Sequence, residues 1–198
     1  MIGYYLTHPQ VEIDPSVPVP DWSLSAEGRR RLEAVRPRSW LGTVRRIVSS
    51  TERKAVETAE LLARGSSLVV ETRPDMGEND RSSTGFLAPD RFEAAADAFF
   101  AAPDCSWNGW ERAVDAQGRI LRAVDAALRD QAPDAPILFV GHGAVGTLLK
   151  CALAGRAIAR SEDQAAGGGN VFAFRLKDRT PLCDWIAIER FEGVHDDA

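Results

Sequence analysis

The chain has 198 residues, 44% of them hydrophobic, enough for one well-buried core, and no Pro/Gly/Ser-rich linker divides it, so a single domain over 1–198 is expected. A net charge of −5 with scattered basic residues gives no global attraction to nucleic acid or anionic lipid, so any anion site must be built locally. Cys105, Cys151 and Cys183, an odd number without CxxC spacing, argue against a disulfide framework or a zinc site, and the absence of a leader pattern or a long apolar run leads us to expect a soluble, cytoplasmic protein with no membrane partner.

Residues 2–7 read as a short apolar strand that ends at His8. The next stretch, 9–22, holds Pro9, Pro15, Pro18 and Pro20 among several acids and is expected to run extended over the surface, with Trp22 packing inward. Ser25 stands as an N-cap with Glu27 in the first turn. Leu32 and Val35 form the buried stripe of that helix, and Pro37 ends it. A strand over 46–50 runs into Ser49 and Ser50, and a helix over 51–62 follows with Ala55, Val56, Ala59 and Leu62 on one face. Arg53 and Lys54 in its first turn oppose the helix dipole. The plain reading is a solvated face, and the sharper one is that they hold an anion together with the helix amides.

A third strand is expected over 67–72. The loop 74–85 is too long and too charged for a simple connection and is suited to present a carboxylate from Asp75, Glu78 or Asp80. A helix over 90–102 carries Phe92, Phe99 and Phe100, and Trp107 and Trp110 come next in a loop; these aromatics pack on the core or roof a pocket. Residues 111–128 give a long helix with Ala113, Ala116, Ile120, Val124 and Leu128 inward, and Pro133 and Pro136 separate it from the next apolar run.

The stretch 136–149 organises the rest: an apolar run, the break Gly141-His142-Gly143, then apolar residues at helical spacing. It predicts a buried strand, a tight turn and a helix, with His142 where strand gives way to helix. Gly167-Gly-Gly-Asn170 makes a turn, and strands over 171–176 and 185–191 form a hairpin; His195 falls in the acidic tail. The alternation predicts an α/β fold, a three-layer αβα sandwich whose sheet is mostly parallel with an antiparallel edge. Both strand-ending histidines and the 49–54 corner then meet at the carboxyl edge, where open α/β sheets hold their ligands.

A neutral imidazole can attack a phosphoryl group if one ring nitrogen is free and the other is fixed by an acceptor such as a nearby backbone carbonyl. Fixed donors and cations must take up the spread negative charge, and His142, the helix N-termini and Lys54 or Arg53 are the candidates. An alkoxide leaving group needs a proton, for which Glu78 is the first choice, with Asp75 and Asp80 as substitutes. Other motifs fail: Gly141-x-x-x-x-Gly146-Thr147 lacks the lysine of a phosphate loop, the strand-turn at His142 lacks the serine of a nucleophile elbow, and two histidines without a third ligand make no metal site.

In order and spacing, Leu6-Thr7-His8, Leu24-Ser25-x-x-Gly28, Val48-Ser49-Ser50, Ala55-x-x-Thr58-Ala59-Glu60-x-Leu62, Met76-Gly-Glu78, Glu111 to Arg119 and Val140-Gly-His142-Gly-Ala-Val together resemble the histidine phosphatase superfamily, the phosphoglycerate mutase-like proteins. The resemblance implies that His8 is the phosphorylated nucleophile, His142 the second pocket histidine and Glu78 the proton donor, with Thr7, Arg53, Lys54 and Gly143 around the phosphate. It implies no metal or cofactor, and a small phosphorylated substrate. Two positions depart from the family pattern: Thr7-His8-Pro9 stands for Arg-His-Gly, and Lys54 for the second pocket arginine. Lysine is a point charge and threonine a single hydroxyl where arginine offers a rigid fork; Arg53 or Arg81 is available to compensate. The expected function is a phosphomonoesterase working through a phosphohistidine, of the histidine acid phosphatase type. The alternative is a degenerate member that binds a phosphorylated ligand or partner without efficient turnover.

Overall fold

The computed structural model describes residues 1–129, 132 and 135–195; Pro133, expected at the approach to the organising strand, lies outside the described residues. Strands β1 (Ile2–Thr7), β2 (Arg46–Ser50), β3 (Val70–Arg73), β4 (Ile137–Gly141), β5 (Asn170–Arg175) and β6 (Ile186–Ala187) form one sheet in the order β3-β2-β4-β1-β5-β6. The pairs β3–β2, β2–β4 and β4–β1 are parallel, while β1–β5 and β5–β6 are antiparallel. The mostly parallel sheet with an antiparallel edge is therefore present.

Strand side chains alternate between faces, and the core divides accordingly. Tyr4, Leu6, Ile47, Leu138, Val140, Val171 and Ala173 meet α1 (Ala26–Val35), α2 (Ser39–Thr43) and α3 (Arg53–Ala63). Tyr5, Val48, Ile137, Phe139, Phe172 and Phe174 meet α4 (Pro89–Ala101), α5 (Ala113–Arg129) and α6 (Gly143–Leu153). Both faces of the sheet are covered, which is why its central strands read as continuous apolar runs. Ser25 caps α1 by accepting the Gly28 amide at 3.1 Å, and Leu32 and Val35 are fully buried.

Two expectations are corrected. The third strand occupies 70–73 rather than 67–72, because as an edge strand it pairs only with β2, from Ile47↔Val70 to Ser50↔Arg73, and Val69 is left exposed. The last strand is Ile186–Ala187 rather than 185–191: after the pairs Asn170↔Ala187 and Val171↔Ile186 the chain turns into a 3-10 helix, Ile188–Arg190, which buries Ile188 and Phe191 on the α1–α3 face. Periodicity also gave no sign of the helix at Ser39–Thr43, a single short turn that buries Trp40 and Leu41. Among the described residues no helix is long and apolar enough to cross a membrane.

Candidate active site

Strands β2, β4 and β1 are neighbours and end at one edge with Ser50, Gly141 and Thr7, so the residues just beyond each are brought together. The His8 amide donates to the Gly141 carbonyl at 3.0 Å, and the His8 and His142 rings lie with centroids 5.3 Å apart at 70°. His8 Nδ1 is 2.8 Å from the Pro9 carbonyl oxygen. A carbonyl only accepts, so Nδ1 carries the proton and the neutral ring has its lone pair on Nε2. Burial, helped by the Lys54 charge, lowers the His8 pKa to about 4, so that ring is neutral at pH 7.

His142 is fully buried. Its Nε2 is 2.8 Å from Ser50 Oγ and 3.4 Å from Glu52 Oε1, while Nδ1 has no hydrogen-bond partner among the described residues. Burial holds its pKa well below the ordinary histidine value, against the pull of the Glu52 carboxylate. Glu52 itself is driven down to about 2, its electrostatic interactions with His142 and Lys54 and a hydrogen bond from Lys54 overcoming the cost of burial.

Glu78 reaches the site from the far side. Met76 is buried and anchors its loop, and Arg119 on α5 donates to the carbonyls of Asp75 at 3.0 Å, Gly77 at 2.8 Å and Glu78 at 3.1 Å while pairing with Glu111 at 2.7 Å. The Glu78 amide donates to Glu52 Oε1 at 2.8 Å, and the Glu78 carboxylate accepts the α6 amides of Val145 at 3.1 Å and Ala144 at 3.3 Å. Burial raises its pKa, opposed by Arg81 and reinforced by Glu52. Of the alternatives, Asp75 pairs with Arg73 at 3.0 Å and Asp80 accepts the Ser82 amide at 2.9 Å. Neither lines the cavity at His8, which leaves Glu78 as the carboxylate of this loop at the site.

The cations are arranged differently from the sequence expectation. Lys54 is buried near the histidines, but its ammonium donates to the Val19 carbonyl at 2.8 Å and is ion-paired with Glu52. Arg53 is 59% exposed and pairs with Glu57 at 3.0 Å, away from the site. Thr7 donates its hydroxyl to Gln164 Oε1 at 2.6 Å and accepts the Asn170 amide at 3.0 Å. Because Gln164 Oε1 also accepts from Asn170 Nδ2 at 3.0 Å, its amide nitrogen is the end turned to Gly143, so close that a Cβ there would clash. Gln164 thus supplies a neutral donor beside Thr7. Arg81 lines the cavity, stacks over Phe92 at 4.9 Å and pairs with no carboxylate among the described residues.

Glu52, Gln164 and Arg119 were not foreseen as parts of the site. Glu52 had a readable signal, an acid two residues beyond a strand end on the ligand edge; Gln164 lies in an irregular segment and had none. The cavity that His8 and Glu78 share measures about 580 Å³ and is walled by Phe92, Phe99, Phe100 and Trp110 as well as by Gly143 and Gln164. The expected aromatic roof is thus shared between core and pocket. Among the described residues no group of three potential ligands is placed to hold a metal ion.

No curated protein matches the chain at a significant level. Among solved structures, YhfR of Bacillus stearothermophilus is similar with a TM-score of 0.77 at 22% identity, covering 91% of this chain and 93% of that one. A mycobacterial glucosyl-3-phosphoglycerate phosphatase gives 0.72 at 24% identity over 88% of this chain and 92% of that one. A putative alpha-ribazole-5'-P phosphatase from Escherichia coli gives 0.75 at 19% identity over 98% and 100%. At such identities the likeness is one of fold. The family model for the histidine phosphatase superfamily (branch 1) matches residues 9–187, and the chain belongs to that superfamily.

Proposed function

We propose that the chain is a phosphomonoesterase acting on a small phosphorylated molecule through a phosphohistidine at His8. The observation that carries this is the Nδ1 contact of His8 with the Pro9 carbonyl, which leaves Nε2 as a free nucleophile on a residue that lines the cavity. The family match opens at Pro9, so the role of His8 rests on this geometry. Nε2 attacks phosphorus, the P–O ester bond breaks, and the leaving alkoxide takes the proton of Glu78, whose raised pKa suits a donor. Water then attacks the phosphohistidine and gives its proton back to Glu78, and inorganic phosphate leaves. The Gly143 end of α6, the Gln164 amide and Arg81, which line the cavity, are the donors for the phosphoryl oxygens, and the buried, unpartnered Nδ1 of His142 is held in reserve behind them.

One observation favours a second reading. The Lys54 charge is taken by Glu52 and the Thr7 position is filled by a neutral pair, so the grip on phosphate is weaker than two arginine forks give. Losing one preorganised donor of this kind costs ~2.7–4 kcal/mol, or about 10²–10³ in rate. Such a site binds a phosphorylated ligand with slow turnover.

Phosphate release from a panel of phosphomonoesters, with acid-quenched protein probed for a phosphorylated histidine, decides between them. Turnover and labelling that both vanish in His8→Ala are the expected result. Saturable binding of phosphate without release or labelling would leave only the second reading.

A further inference from the structure

Beside the cavity at His8 lies a second hollow of about 270 Å³ whose own walls include Val19, Trp22, Phe86 and Leu87, and Ile13, Arg81, Phe92 and Glu93 line both. Ile13 is 56% and Phe86 38% exposed; they are two of only four exposed large hydrophobic residues described, the others being Met1 and Val69. Isolated apolar residues on a surface are ordinary, but two flanking one hollow beside an active site form a patch that a ligand can cover. Trp22 and Phe86 meet edge to face at 5.7 Å. The Trp22 indole N–H is spent on the carbonyls of Asp14 and Val17, at 2.9 and 3.1 Å, so the ring offers the hollow only carbon.

The charge on the shared wall is equally one-sided. Glu93 is bound by Arg160 at 2.5 Å, whereas Arg81, on the wall common to both hollows, makes no ion pair among the described residues. An apolar hollow bordered on the His8 side by a guanidinium without an ion-pair partner matches an ester that is anionic at one end and apolar at the other. A polyhydroxylated alcohol would lose water there without finding partners.

We infer that the substrate is a phosphomonoester of an aromatic alcohol, its phosphoryl group at His8 beside Arg81 and its ring in the hollow of Ile13, Trp22 and Phe86. This rests on the phosphomonoesterase reading and narrows it. The ring supplies apolar burial, Arg81 supplies the register between ring and phosphate, and the P–O bond to the ring oxygen is the one broken.

The test compares 1-naphthyl phosphate with glycerol 3-phosphate on the wild-type chain and on the Ile13→Ser/Phe86→Ser double variant, whose altered side chains are solvent-facing. A kcat/KM ratio favouring the naphthyl ester by ~10-fold or more, carried by KM and lost in the double variant, is expected for one ring's worth of apolar contact. A wild-type ratio near one, or a preference that survives in the double variant, overturns the inference while leaving the phosphatase reading intact. If neither ester is turned over, the phosphatase reading fails and calorimetric titration of 1-naphthyl phosphate decides. Binding weakened ~10-fold by the double substitution upholds the aromatic pocket, and binding that is absent or unchanged overturns it.

Discussion

Glu52 and Lys54 stand two residues apart where β2 passes into α3, and each satisfies the charge of the other next to both histidines. With this pair intact, an anion bound beside the histidines finds no uncommitted ammonium at Lys54. Unit charges about 4 Å apart interact by ~4 kcal/mol at an effective dielectric near 20, and pairing with Lys54 cancels much of this. Glu52→Gln keeps the shape and frees the ammonium, so orthovanadate should bind at least ~10-fold more tightly, a change of ~1.4 kcal/mol; unchanged inhibition would mean that Lys54 does not face the ligand. Glu78 has a different signature. As the donor of a proton it matters in proportion to the basicity of the leaving group, so Glu78→Gln should slow an alkyl phosphate by ~10²–10⁴ and an aryl phosphate with an acidic phenol far less. For the alkyl ester the wild-type rate should fall at high pH as Glu78 ionises, and fall again toward pH 4 as His8 takes up its proton. Equal losses on both esters would assign Glu78 to positioning rather than to acid catalysis. His8, His142 and Glu78 were legible as candidates because strand ends and an over-charged loop mark them in one dimension. The pairing of Lys54 with Glu52, and of Thr7 with Gln164, was not, because a side chain's direction depends on partners up to 157 residues away.

The elements themselves were legible where periodicity is strong. β1, β2, β4, α1, α3 and α5 appear where apolar spacing placed them, because each buries a stripe or a whole strand. The errors fell at the sheet's edges, β3 and β6, where strand length is set by the partner and not by the segment's own residues. The strap over 9–24 is the element that joins fold to chemistry: Pro9 fixes the His8 tautomer, Val19 holds Lys54, and Gln10 accepts the Ser25 amide at 3.0 Å at the start of α1. Gly28 is the point of closest approach, since a Cβ there would collide with the Gln10 backbone carbonyl. Helix propensity alone makes Gly28→Ala stabilising by ~1 kcal/mol. Forcing helix and strap apart costs ~1–3 kcal/mol, and because the clash is with backbone the second effect should win. Denaturant unfolding should therefore show a lower midpoint for Gly28→Ala, accompanied by weaker vanadate binding as the strap shifts. A higher midpoint would show that the strap yields freely and that its contacts do not hold the site in place.

At the scale of the whole molecule, the site couples stability to pH. His142 is fully buried and its pKa is held well below 6.5, and His8 is lowered to about 4, so as the pH falls below 6.5 the unfolded chain takes up protons on both before the folded chain does. Stability therefore rises with pH across that window and levels off above 6.5, each such histidine contributing ~1.4 kcal/mol per pH unit. Glu78 acts in the opposite direction: its raised pKa lets the folded state hold a proton above 4.5, which cancels part of the slope until it ionises. Glu52, lowered to about 2, contributes stability that is complete above 4.5 and is lost only as the pH falls further, so it does not disturb the histidine window. His142→Asn removes one titrating histidine while keeping a polar side chain beside Ser50 and Glu52. Its unfolding free energy from urea titrations, whatever its value at pH 7, should fall less steeply as the pH drops below 6.5 than that of the wild-type chain, by up to ~1.4 kcal/mol per pH unit. Parallel slopes in the two proteins would mean that His142 takes up a proton in the folded state, with Glu52 as its counter-ion, and the second pocket group would then be an imidazolium, restoring by protonation the positive charge that Lys54 spends on Glu52.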